Sequence, residues 1–220
     1  MIKLYTWGTP NGNKLHIMLE ELGLPYELIP VNLGKGEQRD SAFLKINPNG
    51  KIPAIIDTEG PSGRPISLAE SGAILIYLAE KTGCFIPQIP EQRLAMLQWI
   101  MFQMGHVGPM IGQLHHFMAT APAGNEYGIE RYRNEGERLM DVLDSRLSES
   151  GHLANVDYTI ADICTWPWIR SWIHTTKQQL GPRPSLTRWY EEIEQRPAVR
   201  KAIDIYNRLR KSNVQVAGRL

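Results

Sequence analysis

The spacing of apolar side chains changes near residue 86 and divides the chain into two parts. Before that point, short apolar runs alternate with helical patterns. The runs "IKLYT" and "YELIPV" are apolar enough for buried strands, and the segment between them places Leu15, Met18, Leu19 and Leu22 on one helical face. A glycine marks the end of this helix. A strand, a crossover helix and a second strand predict a right-handed parallel unit.

The next segment completes a small mixed α/β pattern. A short helix is predicted around Ser41 to Ile46, and "PAIID" and "RPISL", separated by "TEGPSG", read as a hairpin. The run "AESGAILIYLAEKTG" predicts a helix that stops at Gly83. The order βαβ, α, ββα predicts an α/β, thioredoxin-like domain over residues 1–86.

Beyond the proline-marked connector "IPQIPEQ", helical periodicity dominates and predicts an all-α bundle over residues 92–220. Predicted helices cover about 91–118, 129–148, 159–174, 186–196 and 198–211. Thr159 and Asp162 fit a capping box, which we interpret as structural. Pro167 falls inside a predicted helix and predicts a kink, and the flanking Trp166 and Trp168 fit either the core or a pocket wall.

Composition narrows the class of protein. Hydrophobic residues make up 42% and charged residues 21%, as in ordinary globular proteins. The net charge of +1 gives no broad field to attract nucleic acid or an anionic membrane, so both are excluded as predicted partners. No apolar run approaches the ~20 residues that span a bilayer. The N-terminus lacks a secretory signal, and we therefore expect a cytoplasmic protein.

Neither the cysteines nor the histidines form a metal pattern. Cys84 and Cys164 are far apart and belong to no CxxC, which argues against a disulfide framework, a zinc site and a thioredoxin redox pair. Cys164, in the apolar run "ADICTWPW", is expected to be a buried small side chain. His115 and His116 are adjacent, so on a helix they point about 100° apart and cannot bind one ion together. No metal site is predicted.

The segment "NPNGKIPAI" places a proline just before a strand. If the bond between Ile52 and Pro53 is cis, the backbone of Ile52 turns its polar groups outward, and an extended peptide can add beside it. A plain turn is the alternative, and spacing alone does not choose between them.

The segment "LAESGAI" places Glu70 and Ser71 where a helix begins. The N–H groups of a first helical turn favour a carboxylate. The Ser71 hydroxyl can donate to that carboxylate, and Glu70 can bind a neighbouring ammonium, so the pair suits an α-amino acid head group. The alternative makes Ser71 an N-cap that serves only its own helix.

These two segments, with "YTIADI" in the helical part, resemble those of the cytosolic glutathione transferases over nearly the whole chain. More narrowly, "TPNG", "NLGKGEQ", "LQW" and "IERY" resemble the bacterial nu class, whose members reduce disulfides with glutathione. The resemblance implies a thioredoxin-like domain with a helical bundle, glutathione as the ligand, and a homodimer.

The resemblance also implies a role for particular residues. Asn11 would lie near the glutathione sulfur, Gln38 and Lys51 near its glycyl end, and Ile52 beside its cysteinyl backbone. Glu70 and Ser71 would hold the γ-glutamyl head. Gln98 and Arg131 of the neighbouring subunit would complete the site, although each also fits a solvated helix residue.

The turn "GTPNGNK" would then act on the thiol of the ligand. A helix starting near Gly12 would aim backbone donors at the sulfur, and Thr9 or Asn11 would donate to it directly. Tyr5 precedes this turn by several residues and does not match the family's sulfur-binding tyrosine, so we interpret it as packing.

Three functions fit this sequence. The first is a glutathione-dependent disulfide-bond reductase acting on a small disulfide. The second is a conventional transferase that joins glutathione to an electrophile. The third is a glutathione-binding protein with a regulatory role, which the presence of Asn11, Pro53, Glu70 and Ser71 disfavours. The sequence does not decide whether one or two glutathiones occupy each site.

Overall fold

The computed structural model describes residues 1–155 and 157–217. They form two compact units. One contains Met1–Cys84 together with the last helix, and the other is Phe85–Gln195. The predicted domain boundaries, 1–86 and 92–220, stay a prediction.

The first unit is built on a four-stranded mixed sheet. Its strands are β1 (Ile2–Thr6), β2 (Tyr26–Pro30), β3 (Ala54–Asp57) and β4 (Ile66–Ala69). Their order across the sheet is β2, β1, β3, β4. Strands β1 and β2 are parallel, and the β1–β3 and β3–β4 pairs are antiparallel. Leu4 lies opposite both Leu28 and Ile55. The predicted parallel unit and hairpin are both confirmed.

The same unit also contains α-helices. They are α1 (Pro10–Leu22), α2 (Ser41–Leu44), α3 (Ser71–Thr82) and α9 (Pro197–Ala217). Helix α1 packs against α3 and α9. The bidentate pair of Glu21 with Arg196, with N···O distances of 2.5 and 2.9 Å, ties α1 to the residue before α9, and Glu20 pairs with Lys201 at 2.6 Å. Because neighbours surround it, α1 is buried on more than its predicted face, from Gly12 to Leu19.

The second unit is helical, as predicted. It contains α4 (Pro90–Phe102), α5 (Gly108–Ala119), α6 (Glu126–Glu149), α7 (Ile160–Thr176) and α8 (Pro184–Glu194). A π-helical turn, Gln103–Val107, joins α4 to α5. The single helix predicted over 91–118 is therefore wrong in detail, because the i to i+4 bonding is interrupted at this turn.

The capping box at the start of α7 is confirmed. Thr159 is the N-cap, and the buried Asp162 carboxylate accepts the backbone N–H of Thr159 at 2.9 Å. The same carboxylate also accepts the N–H of Leu153 and the indole N–H of Trp189 at 3.0 and 2.8 Å. Trp166, further along α7, is fully buried, which places it in the core.

Within residues 1–155 and 157–217, no helix has the length and apolar character needed to span a bilayer.

Candidate functional site

The turn between β1 and α1 is held by Thr9. Thr9 is the N-cap of α1, and its Oγ1 accepts the N–H of Gly12 at 3.1 Å. Its carbonyl accepts the N–H of Asn13 at 2.9 Å. The helix begins at Pro10, two residues before the Gly12 near which its start was predicted. Proline suits that position because its ring fixes a helical φ and it has no N–H to satisfy.

The earlier start changes which groups can donate to a ligand. Pro10 has no N–H, and the N–H groups of Gly12 and Asn13 are already bonded to Thr9. Since Thr9 Oγ1 accepts from Gly12, its own hydroxyl proton can be donated elsewhere. Asn11 is half-buried in the same first turn. Hydrogen-bond donors for a ligand therefore come more from side chains, and less from backbone N–H groups, than the sequence predicted.

Two close contacts fix the position of this turn. A β-carbon at Gly12 would lie 2.4 Å from the carbonyl oxygen of Trp7, and one at Gly8 would lie 2.8 Å from the carbonyl oxygen of Tyr206 in α9. Real β-carbons do not approach other atoms so closely. A larger residue at Gly12 would push the first turn of α1 away from Trp7 and from Thr6 at the end of β1, and one at Gly8 would push the turn away from α9.

The peptide bond between Ile52 and Pro53 is cis, which resolves the alternative left open by the sequence. The preceding loop is held by Asn47, whose Nδ2 donates to the carbonyl of Lys51 at 2.7 Å and whose Oδ1 accepts the N–H of Asn49 at 3.1 Å. Ile52 packs against a cluster of Val31, Phe43 and Ala54.

Tyr5 packs against the same cluster. Its ring centroid lies 6.2 Å from that of Phe43. This position agrees with the interpretation of Tyr5 as a packing residue.

Glu70 has an unusual backbone conformation. Its φ and ψ are 67° and 112°, a region that residues other than glycine seldom adopt. Glu70 holds the N-cap position of α3, and its side chain makes no capping bond. Ser71 is the first helical residue, so the alternative that makes Ser71 the N-cap is wrong. Strain of this kind concentrates at sites of function.

The sequence analysis missed three buried polar residues of α1, which are Asn13, Lys14 and His16. Lys14 has no exposed surface, and its Nζ donates to Ser71 Oγ at 3.2 Å. His16 Nε2 lies 3.1 Å from Thr6 Oγ1, and burial lowers the pKa of His16 from 6.5 to about 3, so this imidazole is neutral near pH 7. The available signal was helical spacing, because Lys14 precedes Met18 by four residues and so falls on the predicted apolar face.

Gln38 and Lys51 lie at the edge of the first unit. Gln38 is half-buried in a short 3₁₀ segment, Glu37–Arg39, and no described residue bonds to its Oε1. Lys51 is exposed, which leaves its ammonium accessible to an anionic group.

Gln98 and Arg131 belong to the second unit. Gln98 is exposed on α4, and Arg131 is exposed on α6. Arg131 lines a cavity of about 820 Å³. The other lining residues are Met110, Tyr127, Glu130, Tyr132, Asn134, Glu135 and Arg138.

Two residues that line this cavity, Glu135 and Arg138, form an ion pair. The bidentate bond from Arg138, at 2.7 and 2.8 Å, lowers the pKa of the Glu135 carboxyl, with smaller contributions from His106 and Arg131. Glu135 therefore remains an anion close to Arg131 near neutral pH.

The cysteines lie apart from the β1–α1 turn in sequence, and both are free thiols. Cys84 is exposed. Cys164 is buried, as predicted, and its thiol lies 2.9 Å from Gln103 Oε1. His115 Nδ1 lies 3.3 Å from Thr175 Oγ1. In the part of the chain that the structure describes, no three His, Cys, Asp or Glu side chains are placed to hold a metal ion.

Known families and relatives match most of this chain. Residues 1–80 match the glutathione S-transferase N-terminal domain, and residues 107–197 match the glutathione S-transferase C-terminal domain. Disulfide-bond oxidoreductase YfcG of Escherichia coli strain K12 is 50% identical over 92% of this chain and 94% of its own. Disulfide-bond oxidoreductase YghU of the same strain is 40% identical over 91% of this chain and 73% of its own.

Solved structures match as well. A glutathione transferase from Burkholderia graminis, with two glutathione molecules bound per subunit, has a TM-score of 0.87 and 46% identity over 92% of this chain and 87% of that one. A glutathione transferase from Pseudomonas putida, with one glutathione disulfide bound per subunit, has a TM-score of 0.89 and 41% identity over 93% of this chain and 91% of that one.

The backbone of Glu70 provides a test of strain at this site. Glu70→Gly is expected to be more stable than Glu70→Ala by ~1 kcal/mol, because both lose the side chain but only glycine relieves the positive φ. Urea unfolding of the two variants measures the difference. The same pair at Ser62, an exposed 3₁₀ residue whose φ of 59° is also positive, is the positive control and should show the same preference for glycine. Equal stability of the two Glu70 variants would show that the position is unstrained.

Proposed function

The chain belongs to the glutathione S-transferase family, and from that premise we propose that it reduces disulfide bonds with glutathione. One observation carries the proposal: the β1–α1 turn presents hydrogen-bond donors, and none of its residues is a cysteine. The reactive sulfur then comes from glutathione. The two Escherichia coli relatives are disulfide-bond oxidoreductases by name, which supports reduction as the reaction.

The turn has enough donors to stabilise a thiolate. An unperturbed thiol has a pKa of about 8.5, and lowering it by about two units requires ~2.7 kcal/mol of preferential stabilisation of the anion. A helix N-terminus contributes about 0.3–1 kcal/mol, and one hydrogen bond to a charged group contributes about 1.5–3 kcal/mol. Donation from Thr9 or Asn11 at the start of α1 therefore suffices, without a protein acid or base.

The proposed reaction needs no protein sulfur. The glutathione thiolate attacks one sulfur of the disulfide, forming a mixed disulfide and releasing the other sulfur as a thiolate. A second glutathione thiolate attacks the glutathione sulfur of that mixed disulfide. Two glutathiones become glutathione disulfide, and the substrate disulfide becomes two thiols once the released thiolates take up protons. Atoms and electrons balance without a further reductant.

The other site residues predicted in the first unit are proposed to bind the parts of glutathione other than its sulfur. We propose that Ile52, beside the cis peptide bond, pairs with the cysteinyl backbone. Glu70 and Ser71 at the start of α3 would hold the γ-glutamyl head. Gln38 and Lys51 would contact the glycyl carboxylate.

The class within the family, the cellular location and the oligomeric state are also proposals. We propose that the chain belongs to the nu class, lies in the cytosol and forms a homodimer. Gln98 and Arg131 of a second copy would complete each site. Their exposure on α4 and α6 is compatible with an interface, and it leaves Arg131 accessible to an anionic group of the ligand.

Loss of a donor should move the pH dependence of the reaction. Thr9→Ala and Asn11→Ala are each expected to raise the thiol pKa of bound glutathione by about one unit, because one charge-assisted bond to the thiolate is lost. The pH profile of kcat/KM for the disulfide, measured at saturating glutathione, reports this pKa. Activity requires the thiolate, so it rises with pH through the thiol pKa. The lowered pKa in the wild-type chain therefore allows activity at a lower pH than in either variant.

Thr9→Ser is the matched control, since serine keeps both the hydroxyl and the N-cap. It should reproduce the wild-type profile. Thr9→Ala also loses the cap, so its stability is measured separately by thermal unfolding. Unshifted profiles in both alanine variants would refute the roles assigned to Thr9 and Asn11.

The choice of second substrate separates the candidate functions. Turnover of a small disulfide by glutathione, followed as glutathione disulfide formed, is expected to be strong, and conjugation of a chlorinated aromatic acceptor weak. Cys84→Ala and Cys164→Ala should each keep the reductase activity within about twofold, since neither thiol takes part. Activity on the aromatic alone would favour a conjugating transferase. Glutathione binding without either activity would favour a regulatory role.

Mixing variants tests the shared site. Thr9→Ala and Arg131→Ala chains, unfolded together and refolded, are expected to give activity above the mean of the two parents, because each mixed dimer contains one intact site. Glu130→Ala, an exposed neighbour on α6, should keep wild-type activity. Sedimentation analysis measures the dimer directly. A monomer, or additive activity after mixing, would contradict the proposal.

A further inference from the structure

A buried lysine, Lys14, is hydrogen-bonded to Ser71. Lys14 has no exposed surface, and its Nζ is 3.2 Å from Ser71 Oγ. Lysine is almost never fully buried unless its charge is paired or hydrogen-bonded, because desolvating an ammonium is costly. The Lys14 side chain ends beside Ser71, the residue that begins α3, in the same unit as the β1–α1 turn.

In the hydrogen bond between Lys14 and Ser71, only Lys14 can be the donor. An ammonium has three donors and no acceptor, so Ser71 Oγ must be the acceptor. The hydroxyl proton of Ser71 is therefore directed away from Lys14. Lys14 in this way sets Ser71 as a donor toward whatever anion lies before α3.

Lys14 is also close enough to attract such an anion through its own charge. A carboxylate that accepts the Ser71 hydroxyl lies ~2.7 Å from Oγ. The Lys14 ammonium is then within about 6 Å of that carboxylate. Salt screens buried charges much less than exposed ones, so attraction over this distance persists in solution.

We propose that Lys14 is a positioning residue for the α-carboxylate of the glutathione γ-glutamyl group, acting through Ser71 and through its own charge. The inference rests on the proposed function, which places that carboxylate at the start of α3. Lys14 does not touch the reacting sulfur, so its loss should weaken glutathione binding and leave the pH profile of the reaction unchanged.

The test compares two ligands that differ only in this carboxylate. S-methylglutathione carries it, and the S-methyl tripeptide with 4-aminobutyryl in place of γ-glutamyl lacks it. Isothermal titration calorimetry gives the affinity of each for the wild-type chain and for Lys14→Met. The preference for S-methylglutathione is expected to fall about tenfold in Lys14→Met, which corresponds to ~1.4 kcal/mol. The affinity for the shortened ligand should be nearly unchanged.

Lys201→Met is the matched control. It removes one positive charge from the same unit, where Lys201 is exposed and paired with Glu20. Its preference between the two ligands should equal that of the wild-type chain. Should Lys14→Met fail to fold, Lys14→Gln, which keeps a donor without the charge, is compared in the same way.

The outcomes separate this inference from the proposed function. If Lys14→Met weakens both ligands equally, or neither, Lys14 is structural and the inference is overturned while the proposed function stands. If the wild-type chain does not bind S-methylglutathione, the proposed function is overturned, and the inference with it.

Discussion

The arrangement of the candidate site depends on how closely the first turn of α1 approaches its neighbours. Backbone atoms of Trp7 and Tyr206 leave no room for a side chain at Gly12 or Gly8. Thr6, the last residue of β1, lies as close to Gly12, so the turn is held between β1 and α9, and Thr9 caps the helix that begins there. Donors fixed in this way need no reorganisation when negative charge develops in front of them, which is the main advantage of a preorganised site.

The two ends of the proposed ligand site differ in their electrostatics. At the end proposed to hold the sulfur, the side-chain donors Thr9 and Asn11 are uncharged, and the buried His16 of the same helix is neutral because its pKa is so low. At the start of α3, by contrast, Lys14 and Glu70 bring formal charges. This division suits a tripeptide whose thiol must remain reactive while its zwitterionic head is held firmly. A cation beside the sulfur would stabilise the thiolate further but reduce its nucleophilicity.

Local patterns predicted most of the fold, because apolar periodicity and glycine stops act within a single element. The parallel unit, the hairpin, the helical second unit and the Thr159–Asp162 capping box all follow from such patterns. Features that depend on distant parts of the chain were missed. The burial of Lys14 needs Ser71, 57 positions away, and the packing of α9 against α1 needs the whole first unit. The positive φ of Glu70 has no signal in residue type, since glutamate does not favour it.

The turn that carries the candidate site contains no cysteine, and this has a consequence for resistance to oxidants. A resident catalytic thiolate that is driven to the sulfinic or sulfonic state is in most proteins lost for good. Where the nucleophilic sulfur arrives on a diffusible tripeptide, an over-oxidised molecule simply leaves and a fresh one replaces it. Under peroxide stress, such a protein would keep working for as long as the cell supplies reduced tripeptide.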